Sequence, residues 1–224
     1  MSDSPRRAVL FDLDGTLVDT IDLLLESVRH AFEGRSGNAP TTADWIAGIG
    51  TPLAAQLRPY ATDEADLQSL TDGYRRYQRA NHDRLTSCYS GVVETVRRLS
   101  EQGHPMAVVT SKSDDIALRT VTHVGLLRYF PVIVGLESTT RHKPDAEPVR
   151  FALEALGARA ADAVFVGDSP HDVRSGNAAG VTTIGALWGP YSRAMLEAAH
   201  PSHLLERISA LPALLESLPV PAAA

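Results

Sequence analysis

The sequence predicts an α/β protein, a parallel sheet packed between helices and interrupted once by an all-helical insertion. Two observations carry this. Five short apolar runs recur along the chain: Ala8-Val9-Leu10-Phe11, Met106-Ala107-Val108-Val109, Pro131-Val132-Ile133-Val134, Ala163-Val164-Phe165-Val166 and Val181-Thr182-Thr183-Ile184. They are continuous rather than alternating, as strands buried on both faces of a parallel sheet require. Helical patterns separate the later runs, and strand–helix alternation with short connections implies right-handed crossovers.

Taken in order, Ala8 to Phe11 is the first strand. From Asp19 to Arg84 the pattern is helical, with no strand. Ile21, Leu24, Leu25, Val28 and Phe32 share one face of an amphipathic helix, and residues 44–49, 53–57 and 64–81 are helical too. Tyr74 and Tyr77 fall on one face and read as packing residues; Gly34 to Pro40 is a loop. Beyond the insertion, Val92, Val93, Val96 and Leu99 form a helix after Gly91, and a second helix from Ile116 to Val121 ends at Gly125. Pro144 opens the next helix, with Val149, Leu153 and Leu156 on one side up to Gly157; Pro170 opens another that Gly180 closes. Pro219 to Ala224 reads as a frayed tail. The expected architecture is a Rossmann-like core, residues 1–18 and 85–224, with a small helical domain, residues 19–84, folded out of the loop after the first strand. Its hinges fall near 18–20 and 82–86. At roughly 150 residues per domain, the length suggests about one and a half domains, which this division explains.

Composition excludes several functions. The 21 Lys and Arg against 27 Asp and Glu leave a net charge of −6, and no basic run stands out, which argues against binding nucleic acid by phosphate neutralisation. No apolar stretch approaches the roughly 20 residues that span a bilayer. The opening MSDSPRR is polar and lacks the features of a signal peptide, so a cytoplasmic protein is expected. Cys88 is the only cysteine, which rules out an internal disulfide and a cysteine-based metal centre.

The chemistry lies at the strand ends. The first strand runs into Asp12-Leu13-Asp14-Gly15-Thr16, and two acids two residues apart on an extended strand share one face. Buried together they repel unless a cation or proton intervenes. The fourth run repeats the arrangement in Gly167-Asp168-Ser169-Pro170-His171-Asp172. Ligands of open α/β sheets bind at the carboxyl ends of strands, so the two acidic ends point to a shared cation. Hard oxygen ligands without a His/Cys cluster favour Mg²⁺. Thr110 and Ser111 end the second run, and Lys143 precedes a helix. Hydroxyl, lysine and metal together suit the oxygens of a phosphoryl group.

In order and spacing, Asp12-x-Asp14-Gly15-Thr16, Thr110, Lys143 and Gly167-Asp168-x-x-x-Asp172 resemble the haloacid dehalogenase superfamily of phosphohydrolases, over most of the chain to about Ala186. Lys143-Pro144-Asp145-x-Glu147-Pro148, with the glycine pattern from Gly167 to Gly180, is similar to its phosphoglycolate phosphatase and bacterial pyrophosphatase branch. The insertion looks like that family's helical cap. The resemblance implies that Asp12 attacks phosphorus and becomes an aspartyl-phosphate, and that Asp14 protonates the leaving oxygen and then activates water. It implies Mg²⁺ on the carboxylates of Asp12 and Asp168 and the main-chain carbonyl of Asp14. Thr110, Ser111 and Lys143 would bind the phosphoryl group, while Asp172 orients Lys143 or a metal-bound water. Ser169 either bonds a metal ligand or helps cap its helix.

The cap segment Gly48-Ile49-Gly50-Thr51-Pro52 is either a loop reaching over the site or an ordinary helix–helix turn. Gly48, Gly50 and Thr51 are its candidate specificity residues. The implied substrate is a small phosphorylated metabolite, such as 2-phosphoglycolate, or pyrophosphate. A phosphomutase of the beta-phosphoglucomutase type is the alternative, disfavoured because no Arg follows this loop until Arg58. A non-enzymatic phospho-receiver module is a third, disfavoured by the chain length and the helical insertion. The sequence leaves monomer and homodimer open.

Overall fold

The computed structural model describes residues 6–35 and 37–219. Of the expected tail only Pro219 falls among them, its carbonyl accepting a hydrogen bond from Arg7; residues 220–224 lie outside. The chain enters through β1 (Ala8–Phe11) and β2 (Val18–Asp19), followed by α1 (Ile21–Ala31), α2 (Thr42–Gly48), α3 (Leu53–Leu57), α4 (Glu64–Asn81) and β3 (Ser87–Cys88). Next come α5 (Val92–Glu101), β4 (Met106–Val109), α6 (Asp114–His123), β5 (Val132–Val134) and α7 (Glu147–Leu156). The chain then forms β6 (Ala163–Gly167), α8 (Pro170–Ala179), β7 (Thr182–Ala186), α9 (Arg193–Glu197), β8 (His203–Leu205) and α10 (Leu211–Ser217).

Six strands form one parallel sheet in the order β5-β4-β1-β6-β7-β8, so the expected α/β, Rossmann-like fold is borne out. β1 is central because its four apolar residues are all buried and serve both faces. Val9 and Phe11 pack with Val96 and Leu99 of α5, Val121 of α6 and Leu211 of α10. Ala8 and Leu10 pack on the other face with Val149, Ala152 and Leu153 of α7. That alternation is the period-two geometry of a strand. The chain turns from β1 towards β4 and β5, then crosses back to β6 on the other side. The switch point therefore lies at the carboxyl end of β1, where open α/β sheets bind ligands.

Between β2 and β3 the regular elements are helical, and α1 packs along α4. These helices share a third apolar cluster with the sheet side: Leu24, Trp45, Leu57 and Leu70 meet Val173, Tyr191 and Leu196. α2 starts where Thr41 and Asp44 satisfy each other's backbone N–H groups in a capping box.

Three expectations need correction. The strandless reading from Asp19 fails at its first residue, because Val18 and Asp19 pair antiparallel with Cys88 and Ser87; two-residue ribbons carry no readable period. Strand β8 was not expected: three residues, His-Leu-Leu, on the sheet edge leave no pattern to detect. Pro144 does not open α7. The Lys143–Pro144 bond is cis, and the helix starts at Glu147 with Pro148 in its first turn.

Candidate active site

Register brings the predicted residues together. Phe11 is level with Val108 on one side and Val166 on the other. Asp12 is thus one step beyond the end of β1, while Thr110 and Asp168 stand two steps beyond Val108 and Val166. The Asp12 N–H is satisfied by the Val166 carbonyl at 2.9 Å, and the Thr110 N–H by that of Val134 at 2.9 Å. Asp12, Thr110, Lys143, Asp168 and Asp172 are all buried.

Lys143 joins the two acidic ends. Its Nζ donates to Asp12 Oδ1 and Asp172 Oδ1, each at 2.6 Å, with the lysine side chain 1% exposed. The other oxygen of Asp172 accepts from Ser169 N at 3.0 Å and Ser169 Oγ at 2.6 Å. Ser169 Oγ in turn accepts from Asp172 N, closing a capping box at the start of α8. Of the two roles the sequence left open, Ser169 takes the cap, and its partner there is Asp172, the carboxylate that also meets Lys143.

Asp168 accepts from Thr16 Oγ1 through Oδ1 at 2.7 Å, while its Oδ2 is buried with no partner. One carboxylate oxygen from each of Asp12, Asp168 and Asp172 falls within 4.8 Å of the others. Without a cation, burial and then the charge of Asp172 push Asp12 up to about 7 against the pull of Lys143. Burial and the neighbouring Asp12 and Asp172 hold Asp168 well above the usual carboxylate range. An orphaned buried oxygen among crowded acids fits a divalent cation, and the all-oxygen donor set suits a hard one. The main chain makes room: a Cβ on Gly15 would come 2.4 Å from Asp168 Oδ2, and one on Gly189 2.4 Å from its Cβ.

Asp14 stands apart from that carboxylate cluster. Its Oδ1 accepts from Thr20 Oγ1 at 2.6 Å and from Lys112 Nζ at 2.5 Å. Its side chain is 14% exposed and lines a cavity of about 80 Å³ together with Asp12, Thr110, Ser111 and Lys112. Thr110 Oγ1 accepts from Lys112 N at 3.2 Å, which leaves its own proton to donate. Ser111 Oγ donates to the Gly50 carbonyl at 2.6 Å, so in this arrangement its hydroxyl proton is used by the helical insertion.

Residues of the helical insertion form part of the cavity wall. Gly50 and Thr51 line it, with Trp45, Gln56, Tyr74 and Gln78. Gly48 does not line it; its carbonyl accepts from Thr51 Oγ1 at 2.7 Å and shapes the turn. Gly50, at φ +96°, approaches so near that a Cβ would meet Ser169 Oγ at 2.9 Å. Of the segment 48–52, Ile49, Gly50 and Thr51 line the cavity, and the segment is at the same time a hydrogen-bonded turn between α2 and α3. Arg58 pairs with Glu64 on the surface and is no part of the cavity wall.

Sequence reasoning missed Lys112, Thr20 and the wall residues Gln56 and Gln78, gave Thr16 no role beyond its place in the first motif, and took Tyr74 only as packing. Tyr74 does pack, its ring 5.7 Å from Trp45, but it also lines the cavity. Lys112 follows Thr110 and Ser111 directly. A lysine three residues beyond a buried strand end was a usable signal. The others are small or amide side chains whose roles depend on tertiary contacts.

Residues 9–186 match the family model described as haloacid dehalogenase-like hydrolase. The chain is 39% identical over 175 residues to the pyrophosphatase PpaX of Halalkalibacterium halodurans, covering 78% of this chain and 80% of the relative. It is 34% identical over 211 residues to that of Bacillus velezensis, covering 94% and 97%. Among solved structures, a predicted phosphatase from Clostridium acetobutylicum aligns with a TM-score of 0.84 at 26% identity, over 96% of this chain and 100% of that one. A predicted phosphoglycolate phosphatase from Haemophilus somnus aligns with a TM-score of 0.85 over 95% and 99%; at 22% identity it speaks for the fold alone.

Proposed function

Since the chain belongs to the haloacid dehalogenase-like hydrolase family, we propose that it cleaves a small phosphate ester or anhydride through a phosphorylated Asp12. The hydrolase class follows from its relatives; the steps and residue roles are our reading. The observation that carries it is the pairing of two acid–lysine contacts at one strand end, the buried Asp12–Lys143 and the partly buried Asp14–Lys112, beside the orphaned Asp168 oxygen.

An Asp12 oxygen attacks phosphorus in line as the bond from phosphorus to the leaving oxygen breaks, and the electron pair leaves with that oxygen. Asp14 supplies the proton the leaving oxygen takes up. Water then attacks the acyl-phosphate, Asp14 receives its proton, the bond from phosphorus to Asp12 breaks, and inorganic phosphate and the Asp12 carboxylate are regenerated. Thr110 and Lys143 hold the phosphoryl oxygens, and Asp172, fixed by Ser169, orients Lys143. Asp12 and Asp168, with the main-chain carbonyl of Asp14, would hold Mg²⁺. When bound, that ion supplies positive charge against the transferring oxygens.

We assign residues 19–84 as a cap that excludes water and selects the leaving group, over a core of 1–18 and 85–224. The names of the relatives and neighbours suggest pyrophosphate or 2-phosphoglycolate as substrates. The lone cysteine, which leaves no internal disulfide to form, suits a cytoplasmic enzyme. No helix among the described residues is long and apolar enough to cross a membrane. The test is phosphate release from a panel of esters and pyrophosphate, with and without Mg²⁺. Release that depends on Mg²⁺ and disappears in Asp12→Asn supports the proposal; release that needs neither sinks it.

A further inference from the structure

The mechanism gives no task to a second buried cation, Lys112, which lines the cavity. Lys112 has a side chain only 5% exposed, and an ammonium carries three N–H donors. One is used on Asp14 Oδ1 at 2.5 Å, and no further bond from Nζ is found among the described residues. A buried ammonium with unused donors is unfavourable unless an acceptor arrives. The side chain lines the cavity beside Asp14, the residue assigned to protonate the leaving oxygen, whereas Lys143 lies between Asp12 and Asp172. Lys112 is thus the cation that lines the cavity, next to Asp14, while Lys143 sits behind Asp12.

The remaining wall fits a small polar occupant. Gln56 Oε1 and Trp45 Nε1, both from wall residues of the helical insertion, are buried without partners. At about 80 Å³ the cavity is far below the roughly 300–1,000 Å³ of a site for a drug-sized ligand. A long or bulky leaving group is excluded with the insertion in this position.

We propose that Lys112 binds a negatively charged oxygen of the leaving group, so that the substrate is a small phosphate compound whose leaving group itself carries a carboxylate or phosphate. This rests on the hydrolase reading of Asp12 and Asp14. Lys112 is a specificity residue in this scheme: it favours compounds with a second anion over neutral esters of equal size.

The test uses the full chain with Mg²⁺ and three compounds: pyrophosphate, 2-phosphoglycolate and ethyl phosphate, which lacks the second anion. The wild type is expected to favour at least one anionic compound over ethyl phosphate by tenfold or more in kcat/KM. The preferred compound tells phosphate from carboxylate. Lys112→Gln is expected to shrink that preference at least tenfold, and Lys112→Arg, which keeps the charge, to restore part of it. A wild type that takes ethyl phosphate as well as the anionic compounds overturns the proposal, whether or not the variants fold. So does a Lys112→Gln protein that loses the same factor on all three, since the lysine would then serve Asp14 alone. Both outcomes leave the hydrolase reading standing, whereas phosphate release from none of the three overturns both.

Discussion

Ser111 donates its hydroxyl proton to the main-chain carbonyl of Gly50 at 2.6 Å, tying the loop after β4 to the loop between α2 and α3. Tyr191, from the segment after β7, makes a second tie: its buried hydroxyl is 2.8 Å from the Ile49 carbonyl and 2.9 Å from that of Ala47. The helical insertion is thus held down beside Asp12 at two points that belong to different strands.

That arrangement predicts the behaviour of Tyr191→Phe. The phenyl ring keeps the packing against the shared cluster, but the two carbonyls lose their donor, at a cost of about 1–3 kcal/mol to the closed position. Steady-state kinetics should show kcat/KM lowered about tenfold or more, and Trp45 should become more open to acrylamide quenching. Unchanged kinetics and quenching would mean the insertion is held by other contacts.

Gly189 makes a sharper prediction. A Cβ there would meet Asp168 Cβ at 2.4 Å, so Gly189→Ala must displace the carboxylate that keeps an orphaned oxygen. Disturbing the surroundings that orient a metal ligand costs roughly 10–100-fold in affinity. Titration of activity with Mg²⁺ should show the half-saturating concentration raised by that order. An unaltered Mg²⁺ dependence would separate Asp168 from the metal.

The carboxylate cluster predicts proton release on metal binding. Burial and the charge of Asp172 push the metal-free Asp12 from an ordinary 3.8 up to about 7, so between about pH 4 and 7 the folded protein holds a proton there that the unfolded chain has already given up. In that window the metal-free protein loses stability as pH rises, because the native state binds more protons than the unfolded one. A cation needs the carboxylate ionised and displaces the proton. Calorimetric Mg²⁺ titrations near pH 6, in buffers of different ionisation enthalpy, should report net proton release, falling towards zero well above pH 7. Proton uptake would contradict the assignment.

Leu70 of α4 is fully buried in the cluster that the insertion shares with Val173 and Tyr191. Leu70→Ala should cost about 2–5 kcal/mol, read by urea unfolding. A loss below about 1 kcal/mol would show that the cluster collapses around the deletion.

Much of this molecule was legible in the sequence because the relevant signals are local. Five strands announced themselves as apolar runs, though β5 at the sheet edge is only partly buried, and Asp12, Asp14, Thr110, Lys143, Asp168 and Asp172 stand at or just beyond strand ends or in recognisable motifs. Five of those six fall among the buried polar groups of the structure; Asp14 alone is partly exposed. What stayed hidden depends on distant contacts. The bond from Thr16 to Asp168 joins residues 152 apart in sequence, and Tyr191 reaches Ile49 across 142. The edge strand β8 and the ribbon of β2 with β3 are too short for any period. Pro144 misled because it has the look of a helix opener, whereas Pro148 fills that place.

The central claim is that Asp12 carries the phosphoryl group. It is tested most directly by acid-quenching the enzyme during turnover with Mg²⁺ and mapping the phosphorylated peptide by mass spectrometry. The account predicts a phosphoryl group on Asp12 in the wild type, absent in Asp12→Asn together with turnover. A phosphoryl group on another residue, or an Asp12→Asn enzyme that turns over like the wild type, would contradict it.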